Sequence, residues 1–180
     1  LTPVVKAWCT DLGVEMTSVG IQVHGGMGFI EETGVAQHYR DARIAPIYEG
    51  TNGIQAIDLV LRKLPLDGGD AVSRHISGMT EVMDRMHAHP DLEVFRDRLT
   101  SAIQGLVDTT EWLSARLGAG ETDVVLAGAT PYLRQFGLVT AGWLMAVQAV
   151  AAREGVEGYD PEFLEAKVAN ARFYGEHLLP

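Results

Sequence analysis

Ile47-Tyr48-Glu49-Gly50-Thr51-Asn52 places a carboxylate between an aromatic residue and a glycine, directly before a strong helical pattern. Thr51 can cap that helix by offering its side-chain oxygen to an early backbone N–H. Glu49 then lies near the positive end of the helix, where a negative charge is stabilised. Gly50 leaves room for another molecule to approach the backbone. The arrangement suits a carboxylate base beside a bound molecule; a solvated capping Glu shows the same local pattern. Downstream, Ile54, Ile57, Leu61 and Leu64 form an apolar stripe, with Arg62 and Lys63 near the negative end, which predicts a helix over 52–64. Upstream, Thr33-Gly34 starts a short helix through about Arg43, and Pro46 breaks it. Tyr48 and Glu49 are thereby held on a connector between rigid helices.

Further out the reading stays helical. Thr2-Pro3 offers a capping hydroxyl followed by proline in the first turn. Val4, Val5, Trp8, Cys9, Leu12, Met16 and Val19 recur at helical spacing, predicting a helix over 3–21 with one buried face and a buried Cys9 thiol. Gly25, Gly26 and Gly28 end it. Glycine-rich turns can approach phosphate, but a dinucleotide fingerprint follows a strand and opens a helix. The preceding segment here is helical, so a Rossmann site is not expected. His24 reads as structural, and Arg40, Asp41 and Arg43 as ion-pairing residues.

Pro65-Leu66-Asp67-Gly68-Gly69-Asp70 is the clearest break. It divides the chain into 1–66 and 67–180. The second part reads as helices over 71–88 (with Ile76, Met79, Val82, Met83 and Met86 inward), 92–117, 122–153 and 161–178. Pro131 should kink the third or mark a new start capped by Thr130. Ala127, Gly128, Ala129, Gly137, Ala141 and Gly142 would let neighbouring helices come close. His87 and His89 lack partners at a recognised ligand spacing, so no metal site is assigned. The expected fold is all-α, built as helical bundles.

The chain has 180 residues, of which 47% are apolar, enough for a real core. Fourteen Lys and Arg stand against 24 Asp and Glu, a formal charge of -10. No basic run supplies the positive footprint that nucleic acid requires. The single cysteine forms no intrachain disulfide, which fits a reducing, cytoplasmic compartment. Phe136–Ala152 is the most apolar stretch, slightly short of the ~20 residues of a membrane span. It reads as a buried helix, with no integral membrane segment.

Three motifs stand in order at close spacing: Gln22-Val23-His24-Gly25-Gly26-Met27-Gly28-Phe29, Tyr39-Arg40-Asp41-Ala42-Arg43-Ile44, and Ile47-Tyr48-Glu49-Gly50-Thr51-Asn52-Gly53-Ile54-Gln55. Together they resemble the C-terminal helical domain of the acyl-CoA dehydrogenases over about the first third of the chain. Pro131-Tyr132-Leu133-Arg134-Gln135-Phe136-Gly137 and Lys167-Val168-Ala169-Asn170-Ala171-Arg172-Phe173-Tyr174 resemble the additional C-terminal extension of the larger bacterial members. Because the chain opens on Leu1 inside the family pattern, it is expected to be a fragment of a longer protein, folding as helices without turnover of its own.

The resemblance implies an FAD-dependent enzyme that oxidises an acyl-CoA thioester to the trans-2-enoyl-CoA. Electrons would pass to an electron-transfer flavoprotein, and the enzyme would be a homo-oligomer, dimer or tetramer. Glu49 matches the family's catalytic base, which removes the α-proton while hydride leaves the β carbon for the flavin. Its backbone N–H matches a donor to the thioester carbonyl. A bound acyl chain would exclude water and make the carboxylate a better base. Tyr48 and Gly50 match substrate contacts, and Thr51, Asn52 and Gly53 a flavin-contact segment. Gly53 stands where other members carry a larger polar residue. Gln22, Gly25 and Gly26 match the loop that touches the FAD of a neighbouring subunit. A non-catalytic helical interaction or dimerisation module, and an acyl-CoA oxidase, are the competing readings; replacement of Glu49 separates the module from the enzymes.

Overall fold

Local signals place most helix ends, and the computed structural model, which describes residues 1–179, bears this out. Helix α1 spans Thr2–Val23, with proline in its first turn. Short α2 (Gly26–Phe29) follows the glycine turn, and α3 spans Val35–Arg43. Helix α4 (Asn52–Asp58) runs on into a π-helical turn over Leu59–Lys63. Then come α5 (Asp70–Gly78), α6 (Glu81–Met86), α7 (Glu93–Gly118), α8 (Thr122–Glu154) and α9 (Pro161–His177). Among the described residues there is no strand; the fold is all-α. Asp160 caps α9, its side chain accepting from the Glu162 N–H at 2.8 Å.

Several expectations change on folding. Thr2 is already helical and does not cap α1; Leu1 holds the capping position, and the Val5 N–H reaches its carbonyl at 3.0 Å. The stripe on α1 is only partly covered: Val4 is buried, while Val5 is 56% exposed and Met16 51%. Cys9 is exposed as well. The contacts of α8 and α4 at Trp8 and at Lys6–Asp11 fall in the first half of α1. The predicted helix over 71–88 is two helices, interrupted at Met79-Thr80 directly after Gly78, where glycine weakens helix formation. The inward residues Ile76, Met79, Val82 and Met86 are nonetheless buried, and Met83 packs against them partly covered.

The stripe predicted on α4 also changes. Ile54 and Ile57 are exposed, and the helix buries Ala56, Leu59, Val60 and Leu64. The π turn makes this possible. Leu64 N–H bonds to the Leu59 carbonyl at 2.8 Å, five residues back, and the wider turn brings Leu59, Val60 and Leu64 to the core together.

Helix α8 is the axis of the molecule, lying against α1, α4, α6, α7 and α9. It runs through Pro131 as one 33-residue element, so Thr130 starts no new helix. Burial of Ala129, Tyr132 and Leu133 on both sides of the proline holds it in place. At that length α8 is long and apolar enough to cross a membrane, though here its residues Tyr132, Phe136, Val139, Ala146 and Val150 form core. Gly137 and Gly142 admit close neighbours as expected, whereas Ala127 is exposed. Trp8 of α1 lies over Gly137, where a Cβ would sit 2.5 Å from the indole Cγ. Gly142 admits Leu179 and Leu99 in the same way. One apolar cluster runs from Val4 through α8 to Leu179.

Two buried tyrosines make this core sensitive to alkali. The Tyr132 hydroxyl lies 2.8 Å from that of Thr110, and the Tyr174 hydroxyl donates to the Leu138 carbonyl at 2.9 Å. Burial pushes both phenols up from 10.0 to about 12. Each folded value lies above the unfolded one, so this stabilisation is complete below pH 10 and is lost as pH rises toward 12. Urea midpoints should fall over that interval, each phenol contributing a slope of up to about 1.4 kcal/mol per pH unit. Tyr132→Phe should flatten the fall; an unchanged pH dependence would show that Tyr132 ionises freely in the native state.

A clamped elbow between α3 and α4

The connector from Ile44 to Thr51 is built from short backbone closures. The N–H groups of Ile47 and Tyr48 both reach the Ile44 carbonyl, at 3.0 and 3.2 Å. The Asn52 N–H bonds back to the Pro46 carbonyl at 3.1 Å, pinching the loop shut. Thr51 caps α4, its hydroxyl oxygen accepting from Ile54 N–H at 3.4 Å. Between these closures the chain turns through two successive left-handed residues, Glu49 at φ 54° and Gly50 at φ 81°. Glycine tolerates this geometry; Glu does not adopt it without strain. The Gln55 amide, one turn into α4, donates to the Glu49 carbonyl at 3.2 Å.

This elbow stands at the surface. Tyr48 is 53% exposed, Glu49 is exposed, and no cation pairs with the Glu49 carboxylate among the described residues. The base of the elbow is fixed to α1 by the Asn52 side chain. Its two amide N–H groups are shared among the Ala7 carbonyl (3.0 Å), the Thr10 hydroxyl (3.0 Å) and an Asp11 carboxylate oxygen (2.7 Å), and its oxygen accepts from Lys6 Nζ at 2.8 Å. With its donors and acceptor all engaged, the Asn52 side chain serves as an anchor. Asn52→Ala should destabilise the fold by about 1–3 kcal/mol, since several bonds are lost together at a half-buried site. Denaturant unfolding measures this, and an unchanged midpoint would mean that the clamp does not form.

Gln22, Gly25 and Gly26 lie elsewhere. Asn52 is seated on Lys6–Asp11, and Gln22 follows Asp11 by eleven residues along the same helix, a rise of about 17 Å. The two groups therefore sit at separate places on α1 and form no single site within the chain. Gly25 and Gly26 face open space, as does Gly53 apart from the Thr51 hydroxyl 3.9 Å from where a Cβ would lie. Backbone at all three is thus free for close approach by a planar or anionic group, which is compatible with contacts to a flavin and its phosphates. His24 bonds its own helix end, Nδ1 to the Gly20 carbonyl at 3.0 Å. Arg40 pairs with Glu31 at 3.5 Å, but Asp41 and Arg43 form no ion pair among the described residues, because α3 is short and turns them outward. No group of three His, Cys, Asp or Glu side chains converges among the described residues.

Sequence reasoning missed Lys6, Thr10 and Asp11 as holders of the elbow, and assigned Gln55 no role. Nothing local marks the first three, since they meet Asn52 across 41–46 positions.

Comparison with known proteins agrees with this picture. Residues 1–64 match the family described as "Acyl-CoA dehydrogenase, C-terminal domain", and residues 75–180 that described as "Acetyl-CoA dehydrogenase C-terminal like". The chain is 41% identical to a 3-methylmercaptopropionyl-CoA dehydrogenase of Ruegeria pomeroyi, over 99% of the chain and 31% of that protein. It is 34% identical to a broad-specificity linear acyl-CoA dehydrogenase of Mycobacterium tuberculosis, over 100% of the chain and 31% of that protein. A butyryl-CoA dehydrogenase of Syntrophomonas wolfei is 31% identical over 99% of the chain and 30% of its own length. The chain thus spans about a third of the length of the curated relatives it matches. With its helices, its glycine-flanked Glu49 elbow and matches along nearly its whole length, the chain belongs to the acyl-CoA dehydrogenase family and corresponds to the C-terminal part of its members.

Proposed function

We propose that the full-length protein is an FAD-dependent acyl-CoA dehydrogenase in which Glu49 is the catalytic base. The observation that carries this reading is the elbow itself: a carboxylate without an ion-pair partner, presented at the surface by a strained backbone that two rigid helices hold. The α-proton of a thioester is weakly acidic, so its removal needs a base held against that carbon and a donor aimed at the developing enolate oxygen. Glu49 takes the proton, and its N–H is a donor to the thioester carbonyl. Tyr48 and Gly50 flank the acyl group and exclude water from the carboxylate. Bound FAD supplies the hydride acceptor for the β carbon, giving the trans-2-enoyl-CoA.

Thr51, Asn52 and Gly53 form the segment that contacts one flavin. Gln22, Gly25 and Gly26, at the far end of α1, contact the flavin of a neighbouring subunit, which makes the enzyme a homo-oligomer. The electron acceptor is an electron-transfer flavoprotein, and the enzyme works in the cytoplasm without inserting in a membrane. The break at 65–70 separates a part carrying the base, 1–66, from an added helical part, 67–180, that α8 joins to it. The chain by itself is inactive.

The test is spectroscopic. The purified full-length protein should carry flavin absorbance, which a saturated acyl-CoA should bleach anaerobically. A protein that binds no flavin, or whose flavin stays oxidised with every saturated acyl-CoA, would refute the reading.

A further inference from the structure

We propose that Gln55 is a positioning residue for Glu49, holding the elbow in its left-handed turn through the Glu49 carbonyl; this rests on Glu49 being the base. Glu49 at φ 54° is strained, and left to itself its backbone relaxes to negative φ, carrying the carboxylate with it. The Pro46–Asn52 backbone bond closes the ends of the loop but touches neither Glu49 nor Gly50. Among the described residues, the only hydrogen bond to the strained residue from outside the loop is the 3.2 Å contact from Gln55 Nε2 to the Glu49 carbonyl.

Gly50 leaves room for that contact. A Cβ at Gly50 would lie 3.2 Å from the same Gln55 nitrogen, so a larger residue would press on the amide. Gln55 is itself half-buried, and it stands on the helix whose start Asn52 clamps to α1. Position therefore passes from α1 through Asn52 and α4 to Gln55, and from there to the peptide that carries the base. Gln55 acts on where the carboxylate sits, not on how tightly acyl-CoA is held. Its removal should slow proton abstraction at saturating substrate, since small displacements of a reacting group cost rate steeply.

The experiment uses the full-length holoenzyme with octanoyl-CoA, comparing wild type, Glu49→Gln, Gln55→Met and Gln55→His. Met matches Gln in length and donates nothing; the Nε2–H of His reaches about as far as the amide. The first-order rate of anaerobic flavin bleaching, its half-saturating octanoyl-CoA concentration, bound FAD and the thermal midpoint are read for each. Gln55→Met should bleach about tenfold more slowly at saturation, the loss of one hydrogen bond, with the half-saturating concentration changed less than twofold and FAD retained. Gln55→His should recover most of the rate. If Gln55→Met lowers only the thermal midpoint and bleaches at the wild-type rate, or if His and Met lose rate equally, the positioning role is overturned. Should wild type bleach while Glu49→Gln does not and Gln55→Met matches wild type, the base stands and the positioning role falls. Should octanoyl-CoA not bleach wild type, the comparison is run with the saturated acyl-CoA that does, and a wild type bleached by none of them removes both.

Discussion

Glu49→Gln in the full-length flavoprotein should slow anaerobic flavin bleaching by a saturated acyl-CoA by about 10²–10⁴-fold, the usual contribution of a positioned general base, and leave FAD bound. Gln is the informative replacement. It keeps the length and shape of the side chain, and its backbone is no more strained at positive φ than that of Glu. The Pro46–Asn52 closure, the Asn52 clamp and the Gln55 contact to the residue-49 carbonyl all involve atoms the substitution leaves in place. Donation from the residue-49 N–H toward a thioester carbonyl is also retained. What is lost is a group able to accept the α-proton. Equal bleaching in the two proteins would place the base elsewhere. Loss of flavin along with activity would show that the elbow carries the cofactor as well, and would require the comparison at saturating added FAD.

Gly175→Ala should destabilise the fold by about 1–2 kcal/mol net of helix propensity, and it probes the added helical part far from the elbow. Gly175 lies inside α9, where Ala would ordinarily gain about 1 kcal/mol in helix propensity. At this position a methyl would fall within the ring of Phe95 on α7, which is fully buried. Either Phe95 leaves its site or α7 and α9 move apart, and overpacking of this kind costs more than the propensity returns. Urea unfolding should show a lower midpoint at an unchanged m-value. Phe95→Leu combined with Gly175→Ala should recover part of the loss, because the two act on one contact. A neutral or stabilising Gly175→Ala would mean that Phe95 does not rest on this glycine. Flavin bleaching in the full-length protein should be unaffected as long as the variant is folded, since Phe95 and Gly175 take no part in holding Glu49.

The sequence by itself determined those features whose causes lie within a few residues of one another. Asp160-Pro161 starts α9 and Thr51 caps α4 because a side-chain oxygen and an N–H two or three positions on are adjacent in any conformation that begins a helix. The all-α class follows from apolar spacing, and the family resemblance from three motifs in register. The tight seat of Trp8 over Gly137 was legible only as a run of small residues, without its partner.

Tertiary structure decided the rest. The periodicity of α1 marks an apolar face but not what covers it, and within this chain most of that face, Cys9 included, stays open. Ile54 and Ile57 fit a buried stripe as well as Leu59 and Val60 do. The Asn52 clamp and the π turn rotate α4 so that the second pair goes inward. The left-handed turn at Glu49 is unfavourable to its own residue type, so no propensity announces it. Gln55 and the closed loop ends hold it, on a helix whose start the Asn52 clamp fixes to α1. Local order follows from local chemistry; the aim of the candidate base depends on residues brought together from 46 positions apart.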